Sequence, residues 1–216
     1  ECTLRVEIDE SAKNTSLFNQ VTELKISKPI LMKYGIMVLE VPRKTTNGDL
    51  DYFKSKMPSF IDLNGEFIEV EKNRIINLSN EPENKTKISE IIGVGTGLFY
   101  ASKLLGVNPN HISKILPDQA KAKRLDYTVT TTNEQYEVET KGITHPSNLN
   151  SCIKHCLEKK SDQLNKTKLR FGAISLVNGE NDNRDSKLVI CDDPEEKKII
   201  TEKENVKNIL AHYQLI

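Results

Sequence analysis

The stretch LDYTVTTTNEQYEVETKG, Leu125–Gly142, decides how this chain folds. Period-two patterning runs through Leu125–Thr131 and again through Gln135–Gly142, as expected of half-buried strands. Thr132, Asn133 and Glu134 supply the turn between them, so the two strands form a direct hairpin. In the second strand Glu137, Glu139 and Lys141 project from one face, and Tyr136, Val138 and Thr140 from the other. A turn centred on the Asn133–Glu134 bond sets Asp126 opposite Lys141 and Thr128 opposite Glu139, which puts both carboxylates and the lysine on one face.

Working upstream, Ile88, Ile91, Ile92, Leu98, Phe99, Ala101, Leu104 and Leu105 recur with mostly helical spacing, after a polar break at Glu81–Asn84 and before a stop at Gly106. Downstream, Ser147 or Asn148 caps a helix running to about Asn165, with Leu149, Cys152, Ile153, Cys156, Leu157 and Leu164 as its apolar face. Leu169–Val177 and Lys187–Cys191 read as strands across the polar loop Asn178–Ser186, and Ile199–Leu215 closes with a helical period. Residues 1–80 read mostly as strands, at Cys2–Ile8, Ile36–Val41, Glu66–Val70 and Arg74–Leu78, with Asn64-Gly65 as a turn and Ser16–Leu24 as a helix. The expectation is an α/β protein with a mixed central sheet flanked by helices. A strand-rich N-terminal extension over 1–84 precedes a core over 85–216.

A chain of 216 residues buries one good core without disulfides or metal. With 37% hydrophobic and 29% charged residues it is neither a disordered tail nor a fibrous repeat. Its apolar runs are too short or too interrupted to span a bilayer, and no secretory signal is visible. Formal charge is zero, so the bulk basic excess of many nucleic-acid binders is missing. Lysines and arginines do cluster locally, at Lys114, Lys121, Lys123 and Arg124, and again from Lys154 to Arg170. Cys2, Cys152, Cys156 and Cys191 lack the paired spacing of secreted disulfides and read as reduced, which implies a cytoplasmic setting. Cys152, His155 and Cys156 fall within one helical turn, but the two cysteines match the buried stripe better than a zinc site. His111, His145, His155 and His212 are scattered and form no base–nucleophile pair.

Two carboxylates held close repel each other unless a cation lies between them, and hard oxygen ligands select Mg²⁺, with Mn²⁺ as a substitute. Such an ion polarises a phosphoryl oxygen and acidifies a bound water, and an adjacent ammonium orients that water or stabilises the phosphorane. An acid, any residue and a lysine is a weak pattern by itself: Glu23-Leu24-Lys25, Glu83-Asn84-Lys85, Glu158-Lys159-Lys160 and Asp185-Ser186-Lys187 also match. Glu139-Thr140-Lys141 alone lies within a strand, follows an aspartate by one hairpin, ends at a glycine and precedes a helix and two strands.

On Ile88–Gly93, Arg124-Leu125-Asp126-Tyr127 and Glu137–Gly142, the chain resembles the PD-(D/E)XK, or restriction-endonuclease-like, nuclease superfamily over about residues 85 to 192. The resemblance implies a core of a helix, a three-stranded antiparallel unit, a helix and further strands. It also implies a magnesium-dependent nuclease acting on DNA, with Asp126, Glu139 and Lys141 catalytic. Asp126 and Glu139 would hold the metal, joined by Glu90 from the leading helix. The family's Pro-Asp pair has a second candidate in Pro117-Asp118, but Asp126 has the better hairpin distance. Cutting both strands of a duplex usually takes two active sites, so a symmetric homodimer is expected.

Other readings compete. Gly93-Val94-Gly95-Thr96-Gly97 resembles, imperfectly, the nucleotide-binding turn of an S-adenosylmethionine-dependent methyltransferase, if Ile88–Ile92 is a strand and the glycines a loop. The hairpin at 125–142 leaves too few downstream units for that doubly wound fold. If the stretch is a helix, its glycines permit close packing against a sheet. A non-catalytic DNA-binding module would retain the same core, with the basic helix around Lys154–Lys166 on phosphates. In the plainest alternative, Asp126, Glu137, Glu139 and Lys141 form an exposed, salt-bridged strand face with no chemistry.

Overall fold

The computed structural model describes residues 1–13, 15–42, 49–115, 125–132, 134–161 and 169–192. Pro117-Asp118, the basic residues Lys121, Lys123, Arg124, Lys166 and Lys168, the turn residue Asn133, and the closing helix Ile199–Leu215 with His212 lie outside the described residues.

The hairpin forms where expected, as β6 (Tyr127–Thr130) and β7 (Gln135–Ile143). It joins a mixed seven-stranded sheet with β1 (Cys2–Ile8), β2 (Glu23–Ile26), β5 (Ile112–Lys114), β8 (Arg170–Leu176) and β10 (Lys187–Cys191), in the order β2-β1-β10-β8-β7-β6-β5. β5, β6 and β7 form an antiparallel meander, and β8 lies parallel to β7. The first two strands therefore extend the same sheet as the core: β1 pairs in parallel with β10 and antiparallel with β2. A second, three-stranded sheet holds β3 (Ile68–Val70), β4 (Ile75–Asn77) and β9 (Asn178–Gly179).

The α/β class and the flanking helices follow the sequence pattern, but the N-terminal segment differs in detail. It carries two helices the strand reading omitted, α1 (Lys28–Gly35) and α2 (Asp49–Asn64). Ile36–Val38, expected as the start of a strand, is a 3₁₀ turn continuing from α1. Ser16–Gln20 is likewise a 3₁₀ turn, and Glu23-Leu24-Lys25 lies in β2, so Glu139-Thr140-Lys141 is not alone among such triplets in lying within a strand. A short apolar run carries too little period to separate strand from helix, and Pro29 in the first turn of α1 was the readable helix signal.

α3 (Pro82–Leu105) explains the glycines. The stretch Gly93–Gly97 lies inside this helix, so the loop required by a methyltransferase-like turn is absent; Gly106 ends the helix with φ 64°. Nearly every residue from Ile91 to Ser102 is buried, because α3 is enclosed by β7 and β8 on one side and α1 on the other. A methyl on Gly93 would stand 2.3 Å from the Gly142 backbone nitrogen, and one on Gly95 2.5 Å from the Leu31 carbonyl oxygen. Glycine is needed on both faces for backbone contact.

α4 (Leu149–Ser161) covers the opposite face of the sheet, packing on β8, β10 and β7. Cys156 is buried there with Ile174, Val189 and Cys191, and Leu149, Cys152 and Ile153 pack around them. All four cysteines are free thiols. No helix among the described residues is long and apolar enough to cross a membrane.

Glu137 does not join the candidate metal ligands. Its carboxylate meets the fully buried Arg170 guanidinium at 3.2 Å, across the β7–β8 pair that aligns the two residues. Taking that carboxylate from a buried guanidinium is costly, so Glu137→Ala is expected to destabilise the fold by about 3 kcal/mol. Urea denaturation checks this; a midpoint equal to that of the natural sequence would refute it.

Candidate metal centre

β6 and β7 pair as Tyr127↔Val138, Thr128↔Glu137, Val129↔Tyr136 and Thr130↔Gln135. Continued by one residue, this register sets Asp126 beside Glu139. The expected pairing of Asp126 with Lys141 is therefore corrected by two residues along the strand. A two-residue slip preserves parity, so the side chains stay on the expected face. That face is the one under α4: Glu139 aligns with Gly172 and Lys141 with Ile174, whereas Thr140 lies against Gly97 of α3.

The centre is built around Glu139, whose side chain is 0% exposed. One oxygen, Oε1, accepts from Lys141 Nζ at 3.0 Å and from Lys159 Nζ at 2.6 Å. The other, Oε2, is buried and has no hydrogen-bond partner among the described residues. Lys159 Nζ also stands 3.4 Å from Asp126 Oδ1, so a single ammonium spans the two carboxylates. Asp126 and Lys141 are about a third exposed, at 31% and 34%, and Lys159 is 16% exposed. The centre is thus rooted in the core and open at one side.

Burial raises the Glu139 pKa above the ordinary carboxylate value, and the neighbouring Asp126 charge raises it further; Lys141 and Lys159 offset this only in part. Burial would lower the Lys141 pKa, but Glu139 and Asp126 outweigh it and hold the ammonium above its usual value. Lys141 therefore stays protonated at neutral pH and acts as a donor, not as a base. Tyr127, whose hydroxyl donates to the Met37 carbonyl, is pushed well above the phenol range by burial and by the charges of Asp126, Glu90 and Glu139.

Asp126, Glu139 and Lys141 are thus brought together. Glu90 is exposed on α3, one residue beyond Ser89, whose carbonyl abuts Gly142. It lies near enough to act on Tyr127, but no group of three or more His, Cys, Asp or Glu residues able to hold a metal occurs among the described residues. The residue that sequence reasoning passed over is Lys159. Its signal was present: Cys152, Cys156 and Lys159 lie at i, i+4 and i+7, so the buried stripe of α4 carries a lysine toward the sheet.

The donor set suits a hard divalent cation. Both carboxylates offer oxygen, and a fully buried carboxylate oxygen without a hydrogen bond has the open valence that coordination satisfies. Neither family models, nor curated proteins, nor solved structures match the chain.

Proposed function

We propose that the chain is a metal-dependent nuclease that hydrolyses DNA phosphodiester bonds, with Asp126 and Glu139 holding Mg²⁺ or Mn²⁺ and Lys141 assisting. The observation carrying this reading is Glu139: wholly buried, beside a second carboxylate, with one oxygen bound by two ammonium groups and the other unmatched. Buried charges so arranged are costly for structure alone and belong with sites where charge is used. The resemblance to PD-(D/E)XK nucleases, on the same Asp126, Glu139 and Lys141, supports the choice of reaction. Glu90 is a peripheral contributor.

A bound divalent cation supplies charge neutralisation at the phosphoryl group and a more acidic water. Asp126, the residue before β6, and Glu139, on β7, would hold that cation, since the pairing of the two strands sets them side by side. Lys141, held protonated, donates to the attacking water or to the phosphoryl oxygens as negative charge accumulates. In the net reaction the water oxygen bonds to phosphorus and one ester P–O bond breaks. One water proton ends on the departing oxygen and the other is released.

Supercoiled plasmid incubated with the protein should be nicked in Mg²⁺ or Mn²⁺ and left intact in EDTA. Equal nicking in EDTA would overturn the reading. The charge balance among Asp126, Glu139, Lys141 and Lys159 favours a second reading, a core that binds DNA or metal without hydrolysis. Metal binding with no cleavage of any DNA would select it. Cytoplasmic residence and a homodimer remain parts of the proposal, the dimer being checked by mass in solution.

Metal binding should depend on pH. The folded-state pKa of Glu139 is raised, so the stability it contributes is complete below its unfolded value, 4.5, and is lost as pH rises through the folded value. Above that point the ionised carboxylate carries a penalty that a cation relieves. Mn²⁺ is therefore expected to raise the melting temperature more at pH 8 than at pH 5, and to release a proton on binding at intermediate pH. Thermal melts at the two pH values check this; a larger gain at pH 5 would contradict it.

A further inference from the structure

Lys159 needs its own account. It reaches the centre from α4, not from the hairpin, and Lys141 alone already gives Glu139 Oε1 a cationic partner. What distinguishes Lys159 is that one Nζ meets both carboxylates, 2.6 Å from Glu139 Oε1 and 3.4 Å from Asp126 Oδ1. That is the position of a cation bridging the pair. We propose that Lys159 is a built-in stand-in for the divalent cation, displaced from Asp126 and Glu139 when the metal enters. The inference rests on the metal-dependent reading and adds the residue that governs metal occupancy.

Charge supports the exchange. Without metal, two carboxylates face two ammonium groups and the centre is neutral. This spares two partly desolvated carboxylates their mutual repulsion and keeps the fold intact without a metal. A divalent cation between the same carboxylates cannot share that space with an ammonium, because like charges a few ångströms apart in a partly desolvated site repel strongly. Lys159 has the means to leave: its long flexible stem ends in a compact charge, and it sits in the last turn of α4 while Cys156, one turn earlier, anchors the helix in the core. Once metal is bound and both lysines remain nearby, the centre carries surplus positive charge, which suits a phosphodiester and the more negative phosphorane formed from it. Metal entry and substrate attraction are thereby linked through one side chain.

The test uses Mn²⁺ as the probe and two independent readouts. On the natural protein, acylation by an amine-reactive ester, quantified by mass spectrometry, is expected to increase several-fold at Lys159 when Mn²⁺ is added, relative to exposed Lys154. By calorimetry, Lys159→Met is expected to bind Mn²⁺ about tenfold more tightly than the natural sequence, because it has no competing cation to displace. Lys141→Met, which removes the ammonium 3.0 Å from Glu139 Oε1 and leaves Lys159 in place, should shift affinity less. Lys159→Gln provides the same comparison if the methionine variant does not fold. Labelling of Lys159 that stays constant or falls on Mn²⁺ addition, or weaker Mn²⁺ binding by both Lys159 variants, would overturn this inference and leave the metal site standing. Absence of Mn²⁺ binding by the natural protein would remove both.

Discussion

Glu139→Ala is expected to lower the rate of metal-dependent plasmid nicking at least about 1,000-fold, equivalent to roughly 4 kcal/mol of lost transition-state stabilisation. The size follows from the position of the residue. Glu139 touches both lysines, and it lies beside Asp126 in the hairpin register. Its removal takes away a metal ligand and leaves Lys141 without its carboxylate at once, so the loss should approach that of removing the whole centre. Lys141→Ala should cost less, on the order of 100-fold, since it removes a donor and leaves the ligands. Initial nicking rates in Mg²⁺ with matched, folded protein measure both. A Glu139→Ala rate within tenfold of natural would place the chemistry elsewhere.

Gly142→Ala is expected to be the most damaging single-methyl change. The added carbon would stand 1.8 Å from the Ser89 carbonyl oxygen and 3.0 Å from the Gly93 nitrogen, both backbone atoms of α3. No side chain can rotate away to make room, so the helix must lift from β7. The cost is at least about 3 kcal/mol, and for a domain of this size that lowers the melting temperature by roughly 10 °C. Gly93→Ala probes the same crossing from the helix side, 2.3 Å from the Gly142 nitrogen. The two changes together should therefore cost less than their sum, because lifting the helix relieves both. A Gly142→Ala melting temperature within 2 °C of natural, a limit set by roughly 2–4 °C per kcal/mol, would contradict this account of the glycines.

The parts of the fold visible in the sequence were those governed by local period. Alternation gave the hairpin and the shared face of Glu137, Glu139 and Lys141; helical spacing gave α3, with its stop at Gly106, and the buried stripe of α4. Register was less accessible, because turn geometry decides it, and the true pairing is displaced by two residues from the one expected. The face survived that displacement only because the slip is even. Glu137 illustrates the limit of strand patterning: period two places it with Glu139, but its partner Arg170 arrives from β8, more than thirty residues later. Lys159 was hidden for the same reason. Its helix and stripe were readable, yet its two carboxylates lie just before β6 and on β7, whose distance from α4 is fixed by the crossover to β8. In the N-terminal segment, short apolar runs gave strands where α1 and its 3₁₀ continuation stand, since α1 is held against α3 by close contact such as that of Gly35 with Ile91.

Anomalous diffraction from crystals soaked in Mn²⁺ tests the central claim most directly. The account predicts one manganese peak between Asp126 and Glu139, within coordinating distance of a carboxylate oxygen of each and including Glu139 Oε2, with Lys159 Nζ withdrawn from between them. No peak at this carboxylate pair under saturating Mn²⁺, with Lys159 still spanning both groups, would contradict it.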